Sequence, residues 1–269
     1  MEVLSALNSQ LSSNAQIAFI TFCALIFGSF ASLISHRLAT KQPMVFARSQ
    51  CVKCGIALKI RNLIPIFSWV IQRGKCSNCK AKISARYPLI EASFVITFLS
   101  VYFALGQVID IRMLLCFAIS GTLIVMTVVD LEHYFIPDIT QYFLALLVIF
   151  LRIHDDGTNG AMMNLQAAFL YMGFGLLLLA FFYITTKMEA IGIDDIKFFF
   201  ISGLLLGSKG FLLFTLFSGV FGVIFGMIWQ KVKKEATFPF APSICAAMFV
   251  VMMFGKDVNL TKLMCDLIF

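Results

Sequence analysis

The feature that most constrains this chain is a succession of about eight apolar runs, at roughly 16–36, 89–107, 113–130, 139–153, 164–186, 196–209, 211–229 and 240–254. A bilayer core offers no water to satisfy backbone N–H and C=O groups, so runs of this kind must be helices that bond internally. A span needs about 20 residues. The fourth, sixth and eighth runs are short of that and draw length from their flanks, so the expectation is seven or eight spans. Composition agrees: 60% of the 269 residues are apolar and 13% are charged, where a soluble domain carries about half and a quarter. No cleavable signal peptide is expected, because the first 15 residues hold no basic residue and the run that follows is long enough to span.

The formal net charge of +7 does not point to nucleic acid, because its distribution follows the apolar runs. Segment 36–88 holds 11 of the 21 Lys and Arg residues and no Asp or Glu. The positive-inside rule places it in the cytoplasm. Threading eight spans from there puts Lys187, Lys197, Lys231, Lys233 and Lys234 on the same side, and Asp155 and Asp156 on the other with the N-terminus.

Four of the eight cysteines fall in this basic segment as Cys51-Val-Lys-Cys54 and Cys76-Ser-Asn-Cys79, with 21 residues between the pairs. Two such knuckles supply four thiolates for a tetrahedral zinc ion, a closed set that leaves no position for water and so reads as structural. The alternative is four free thiols in a solvated loop; a disulfide reading is weak in a reducing compartment. Lys53, Lys75 and Lys80 would offset the charge of the thiolates. Cys23, Cys116, Cys245 and Cys265 are scattered, and those in apolar runs read as small buried hydrophobes. Between the knuckles lies an apolar stretch, 62–69, that reads as one small core or one membrane-surface contact.

Acids in or near spans are costly and become functional candidates. Asp130 ends the third run and Asp195 opens the sixth, both on the cytoplasmic boundary. Brought together, they could share a proton, one activating water and the other polarising a carbonyl. Against this stands the structural reading, in which acids at helix ends serve as caps or answer the helix dipole. Asp138, after Pro137, fits that reading. Asp194 and Asp195 are adjacent and point about 100° apart on a helix, so only one can face a partner. Lys197 falls on roughly the opposite side from Asp195. Glu132, His133, Glu189 and His36 read as interfacial polar groups.

Taken together, these motifs resemble the type IV prepilin peptidase family, the leader peptidase/N-methyltransferases. The resemblance runs from about Phe27 to Gly255. It is carried by Gly28-Ser-Phe30 with His36-Arg-Leu38, Arg48-Ser-Gln-Cys51 and the two knuckles, Leu63-Ile-Pro65, Arg73-Gly74, and the stretch from Ile83 to Glu91. Asp130 with Pro137-Asp138, the Gly192–Lys197 stretch, and Phe238-Pro-Phe-Ala-Pro242 complete it. It implies a multi-pass aspartyl protease of a bacterial inner membrane with its active site facing the cytoplasm. Such enzymes cut the basic leader from type IV prepilins and type II secretion pseudopilins after a glycine. Many then methylate the new N-terminal residue with S-adenosylmethionine. The family's catalytic pair falls on Asp130 and Asp195, the latter within a Gly-x-Gly-Asp-x-Lys motif.

The chain departs from the pattern in three places. Asp194 stands where the motif has its second glycine, the first knuckle lacks the proline often found after its first cysteine, and Ala31-Ser32 replaces the usual Leu-Asn. The expected organisation is all-α: a first transmembrane segment at 1–36, a cytoplasmic zinc-binding and methyltransferase-associated loop at 37–88, and a transmembrane aspartyl peptidase domain at 89–269. Prepilins, pseudopilins and membrane lipid are the expected partners, with zinc and S-adenosylmethionine as cofactors. Three rivals stand beside it: a peptidase without methyl transfer, a zinc-stabilised scaffold without catalysis, and a transporter, whose intramembrane acids should lie near the bilayer midplane rather than at helix ends.

Overall fold

The computed structural model describes residues 12–40, 50–51, 53–187, 192–234 and 237–254. Arg48, Glu189, Gly255 and Cys265, singled out above, lie outside them. The described residues are helical, with two isolated β-bridges and no strand. The helices are α1 (Ser13–Thr40), α2 (Phe67–Ile71), α3 (Arg86–Ala104), α4 (Ile111–His133), α5 (Asp138–Thr186), α6 (Ile193–Leu206), α7 (Phe211–Lys233) and α8 (Ala241–Phe254), with single 3-10 turns at Ile60–Asn62 and Ser208–Gly210. The chain divides into two compact units at Met113/Leu114, within the first turn of α4.

Five helices among the described residues are long and apolar enough to cross a membrane: Ser13–Leu38, Arg86–Ala104, Ile111–His133, Asp138–Thr185 and Ser208–Lys233. The eight expected spans are therefore met only in part. The sixth and eighth runs form helices of 14 residues each, about 21 Å long against a hydrocarbon core of about 30 Å. The fourth and fifth runs join in the 49-residue α5, which at 1.5 Å per residue would be about 73 Å if straight.

It is not straight. Gly157 sits at φ 68°, ψ −175°, a conformation open to glycine because no Cβ collides with the backbone. Contacts across α5 and α6 show that the chain reverses there. The first arm meets the start of α6, where Lys197 Nζ donates to Asp138 at 2.7 Å. With its amide oxygen turned to accept, Asn164 in the second arm takes hydrogen bonds from Arg152 in the first, at 2.6 and 2.7 Å. The second arm then runs back along α6, with Ala168 against Gly203 and Gly175 against Phe199. A Cβ on Gly203 would lie 2.6 Å from Ala168 Cα, so this packing exists only because position 203 has no side chain.

The core of the second unit carries a cluster of rings. Tyr171 packs edge-on to Phe211 at 5.1 Å between centroids and Phe199 edge-on to Phe214 at 5.3 Å, pairs worth about 0.5–1.5 kcal/mol each beyond their burial. The buried Tyr171 hydroxyl donates to the carbonyl of Gly207 at 3.1 Å, satisfying an α6 end group. In the first unit α1 packs along α3, and Gly28 brings the backbones together: a Cβ there would lie 2.8 Å from Glu91 Cα.

Candidate functional site

Each unit carries one cluster of chemically capable side chains. In the first, Cys51, Cys54, Cys76 and Cys79 converge with all four Sγ atoms within 4.8 Å of one another. The knuckles are built alike. Cys51 N–H donates to Ile56 O and Gly55 N–H to Cys51 O, as Cys76 N–H donates to Ala81 O and Lys80 N–H to Cys76 O. The bridges Gln50–Ala57 and Lys75–Lys82 flank them. Gly55 at φ 67° and Lys80 at φ 59° take the same left-handed turn, which glycine adopts freely and lysine at a cost of about 1–2 kcal/mol.

The donor set fits a tetrahedral soft-metal site. With Zn–S of about 2.3 Å, ligand sulfurs lie about 3.8 Å apart, and Cys51 Sγ lies 3.8 Å from Cys79 Sγ. The knuckle backbone favours thiolates. The N–H groups of Cys54 and Lys53 hold the Cys51 thiol below its ordinary value. The N–H of Ile56 and the Asn78 side chain, whose Nδ2 reaches Cys54 Sγ at 3.7 Å, do the same for Cys54.

The second cluster lies where four helix ends of the second unit meet. Asp130, near the C-terminus of α4, is 5% exposed. Its Oδ2 accepts the N–H of Ala241, the first residue of α8, at 2.9 Å. Asp195, in the first turn of α6, accepts the N–H of Gly192 at 3.1 Å while its own N–H donates to Gly192 O at 3.1 Å. The two acids are electrostatic neighbours, and Asp195 also feels Asp194. The fold thus brings the two sequence candidates together from helices 65 positions apart in numbering.

Asp194 points elsewhere. It and Asp138 flank Lys197, which donates to Asp138 Oδ1 at 2.7 Å and Asp194 Oδ1 at 3.0 Å. The side chain that replaces the motif glycine therefore carries its own counter-charge. Lys197 pairs with these two acids rather than with Asp195, as its place on the helix predicted, and leaves one net negative charge among the three. Gln141, 2% exposed, donates from Nε2 to the carbonyl of Asp194 at 3.2 Å. Glu132 and His133 form a partly exposed pair at 4.0 Å.

Sequence reasoning missed two neighbours of the acids. Cys245, one turn into α8 and 2% exposed, hydrogen-bonds with Thr127 and lies in the field of both Asp130 and Asp195. The backbone N–H of Ala241 carries no side-chain signal. The only trace of it was the Phe238-Pro-Phe-Ala-Pro242 stretch, whose two prolines mark a helix entry.

Two family models match in tandem, the bacterial peptidase A24 N-terminal domain over residues 22–105 and the type IV leader peptidase family over residues 116–227. This chain belongs to the type IV leader peptidase family. Family relatives include a prepilin leader peptidase/N-methyltransferase of Burkholderia pseudomallei (strain 1026b), 27% identical over 91% of this chain and 87% of that protein. A protein of the same description from Bacillus subtilis (strain 168) is 28% identical over 90% of this chain and 96% of its own length. One from Legionella pneumophila is 28% identical over 81% and 76%. No solved structure matches. Family membership and the apolar helices together make the chain a multi-pass membrane enzyme, and the A24 boundaries separate the thiolate cluster from the acid cluster as the two compact units do.

Proposed function

We propose that this enzyme removes the basic leader of type IV prepilins and pseudopilins with Asp130 and Asp195, at the cytoplasmic face of a bacterial inner membrane, and then N-methylates the new terminus. The observation that carries the reading is the meeting of two acids from separate helices, at a helix entry, in a chain of this family. The ionised carboxylate takes a proton from water as its oxygen attacks the scissile carbonyl, and the protonated carboxylate gives its proton to the carbonyl oxygen. The tetrahedral intermediate collapses as the amide nitrogen takes a proton, releasing the leader's new carboxylate and the mature amine. The pair exchanges one proton and titrates as a unit.

Topology follows the same reading. The reversal at Gly157 turns α5 into two spans, so α1, α3, α4, the two arms of α5, α6, α7 and α8 make eight. The basic loop and both acids then share the cytoplasmic side, and the acids of the second unit, Glu132 and Asp194 among them, attract a basic leader. We retain the division into 1–36, 37–88 and 89–269. Zinc held by Cys51, Cys54, Cys76 and Cys79 would act structurally, fixing a loop whose small core does not suffice to hold it.

S-adenosylmethionine is the methyl donor this reading implies. The described part of the basic loop has neither a glycine-rich turn of the nucleotide-binding kind nor an acid, so it presents no recognisable cradle for that group. Ser32, where the resembled pattern has Asn, keeps its hydroxyl buried with no hydrogen-bond partner among the described residues.

A second reading has an observation in its favour. Both acids accept helix-entry N–H groups, as structural caps do, which is what a zinc-stabilised scaffold would need. The test is a mass spectrum of a pilin-like substrate incubated with the purified protein and S-adenosylmethionine in detergent. Loss of the leader plus one methyl group is expected. Loss of the leader alone leaves the peptidase and points to Ala31-Ser32. An intact set of several pilin-like substrates, with the fold verified, favours the scaffold.

A further inference from the structure

Between the cysteine knuckles, the chain exposes Leu63, Ile64, Phe67, Val70 and Ile71 within nine residues, with Phe67 61%, Val70 59% and Ile71 78% exposed. Elsewhere, most such side chains lie on the long apolar helices, where lipid covers them. These lie in the loop. Phe67, Val70 and Ile71 stand at i, i+3 and i+4 of α2 and so share one face. The small module does not need them for its own core. It uses Trp69 instead, whose indole packs within 3.0 Å of where a Cβ on Gly74 would stand and donates to Ile83 O at 3.2 Å.

The depth of this face is set by one contact. Ile66 N–H, at the entry to α2, donates to the Glu91 carboxylate at 2.6 Å. Glu91 is 6% exposed, and the Ser29 hydroxyl also bonds it. It is the sixth residue of α3, a helix long and apolar enough to span, so it lies about 7–8 Å along the axis from the helix start. The loop therefore reaches back more than one turn beside α3. Ile66 is held there at φ 57°, ψ −55°, a positive-φ backbone exceptional for a β-branched residue.

We propose that segment 63–71 is a re-entrant anchor that lays its apolar face into the headgroup–acyl boundary of an anionic bilayer, with Glu91 as the latch that sets its depth. Charge selects the partner. Lys59, Arg61, Arg73 and Lys75 flank the segment and no acid lies between residues 50 and 85. A basic rim around an apolar face matches anionic lipid and repels a basic peptide. The inference does not depend on the peptidase reading.

The test uses the full chain in vesicles of phosphatidylcholine and phosphatidylglycerol at 3:1. p-Benzoylphenylalanine replaces Phe67, Ile71 or, as a control, Ile56, which is exposed on the first knuckle. After irradiation, mass spectrometry should find lipid adducts at 67 and 71 at least fivefold above those at 56. Yields at 67 and 71 no higher than at 56, or cross-links to protein in place of lipid, overturn the anchor. In the Phe67-labelled protein, Glu91→Leu, which cannot accept the Ile66 N–H, should lower the lipid adduct at least threefold. Glu91→Gln, which can, should keep it; equal yields from the two variants overturn the latch. Should Glu91→Leu fail to fold, the comparison of positions 67, 71 and 56 still decides the anchor.

Discussion

The carboxylate of Asp130 accepts the backbone N–H of Ala241 at 2.9 Å, across 111 residues of chain. This bond ties the end of α4 to the entry of α8 and fixes one oxygen of the acid beside Asp195. Asn at 130 can still accept that N–H through its amide oxygen, but it cannot exchange a proton. Asp130→Asn and Asp195→Asn should therefore each lower leader cleavage by about 10²–10⁴-fold, leaving the protein in the membrane with an unchanged melting profile in detergent. Full activity in either variant would sink the dyad.

Lys197 holds Asp138 and Asp194 together across the starts of α5 and α6. Its side chain is 41% exposed, so each pair is worth at most about 1 kcal/mol. Lys197→Met leaves two carboxylates facing each other and should slow cleavage about fivefold, through displacement of the α6 entry that carries Asp195. Asp194→Gly installs the glycine of the resembled motif and keeps the Lys197–Asp138 pair, so cleavage should stay within about twofold. Cleavage assays on both variants at low and at 0.5 M salt check this. The wild type should lose part of its advantage over Lys197→Met as salt screens the pairs.

Gly203 admits no side chain, because its neighbour is the backbone of Ala168 rather than a movable rotamer. Gly203→Ala should destabilise the second unit by about 1–3 kcal/mol, read as a lower thermal midpoint in detergent. A midpoint equal to that of the wild type would show that the two helices can separate at no cost.

At the left-handed position after the second cysteine, the first knuckle carries Gly55 and the second Lys80. Lys80→Gly relieves the left-handed strain and should stabilise the zinc-loaded loop by about 1 kcal/mol, seen as slower loss of zinc to a chelator. Cys76→Ser removes a buried thiol of the proposed zinc set and should leave less than one zinc per chain by elemental analysis. The basic loop of that variant should be cut faster by protease. Equal protease resistance with and without chelator would argue for free thiols.

Much of this molecule was readable in order along the chain. The apolar runs required helices because a bilayer leaves backbone groups no other partner. The Cys-x-x-Cys spacing placed two knuckles because each turn is local, and Asp130, Asp195 and the opposed side of Lys197 followed from motif and helical period. The span count was less accessible, since the runs at 139–153 and 164–186 lie on one helical stretch whose reversal depends on the dihedral angles of Gly157. Contacts between distant segments were not readable at all. Nothing local marks Ala241 as the donor to Asp130, Cys245 as a neighbour of both acids, or Glu91 as the acceptor for Ile66. Local patterns are set by residues a few positions apart, which interact whatever the rest of the chain does. A buried carboxylate finds its partner only when packing has excluded water and brought remote backbone within reach, so those pairings were decided by the tertiary structure alone.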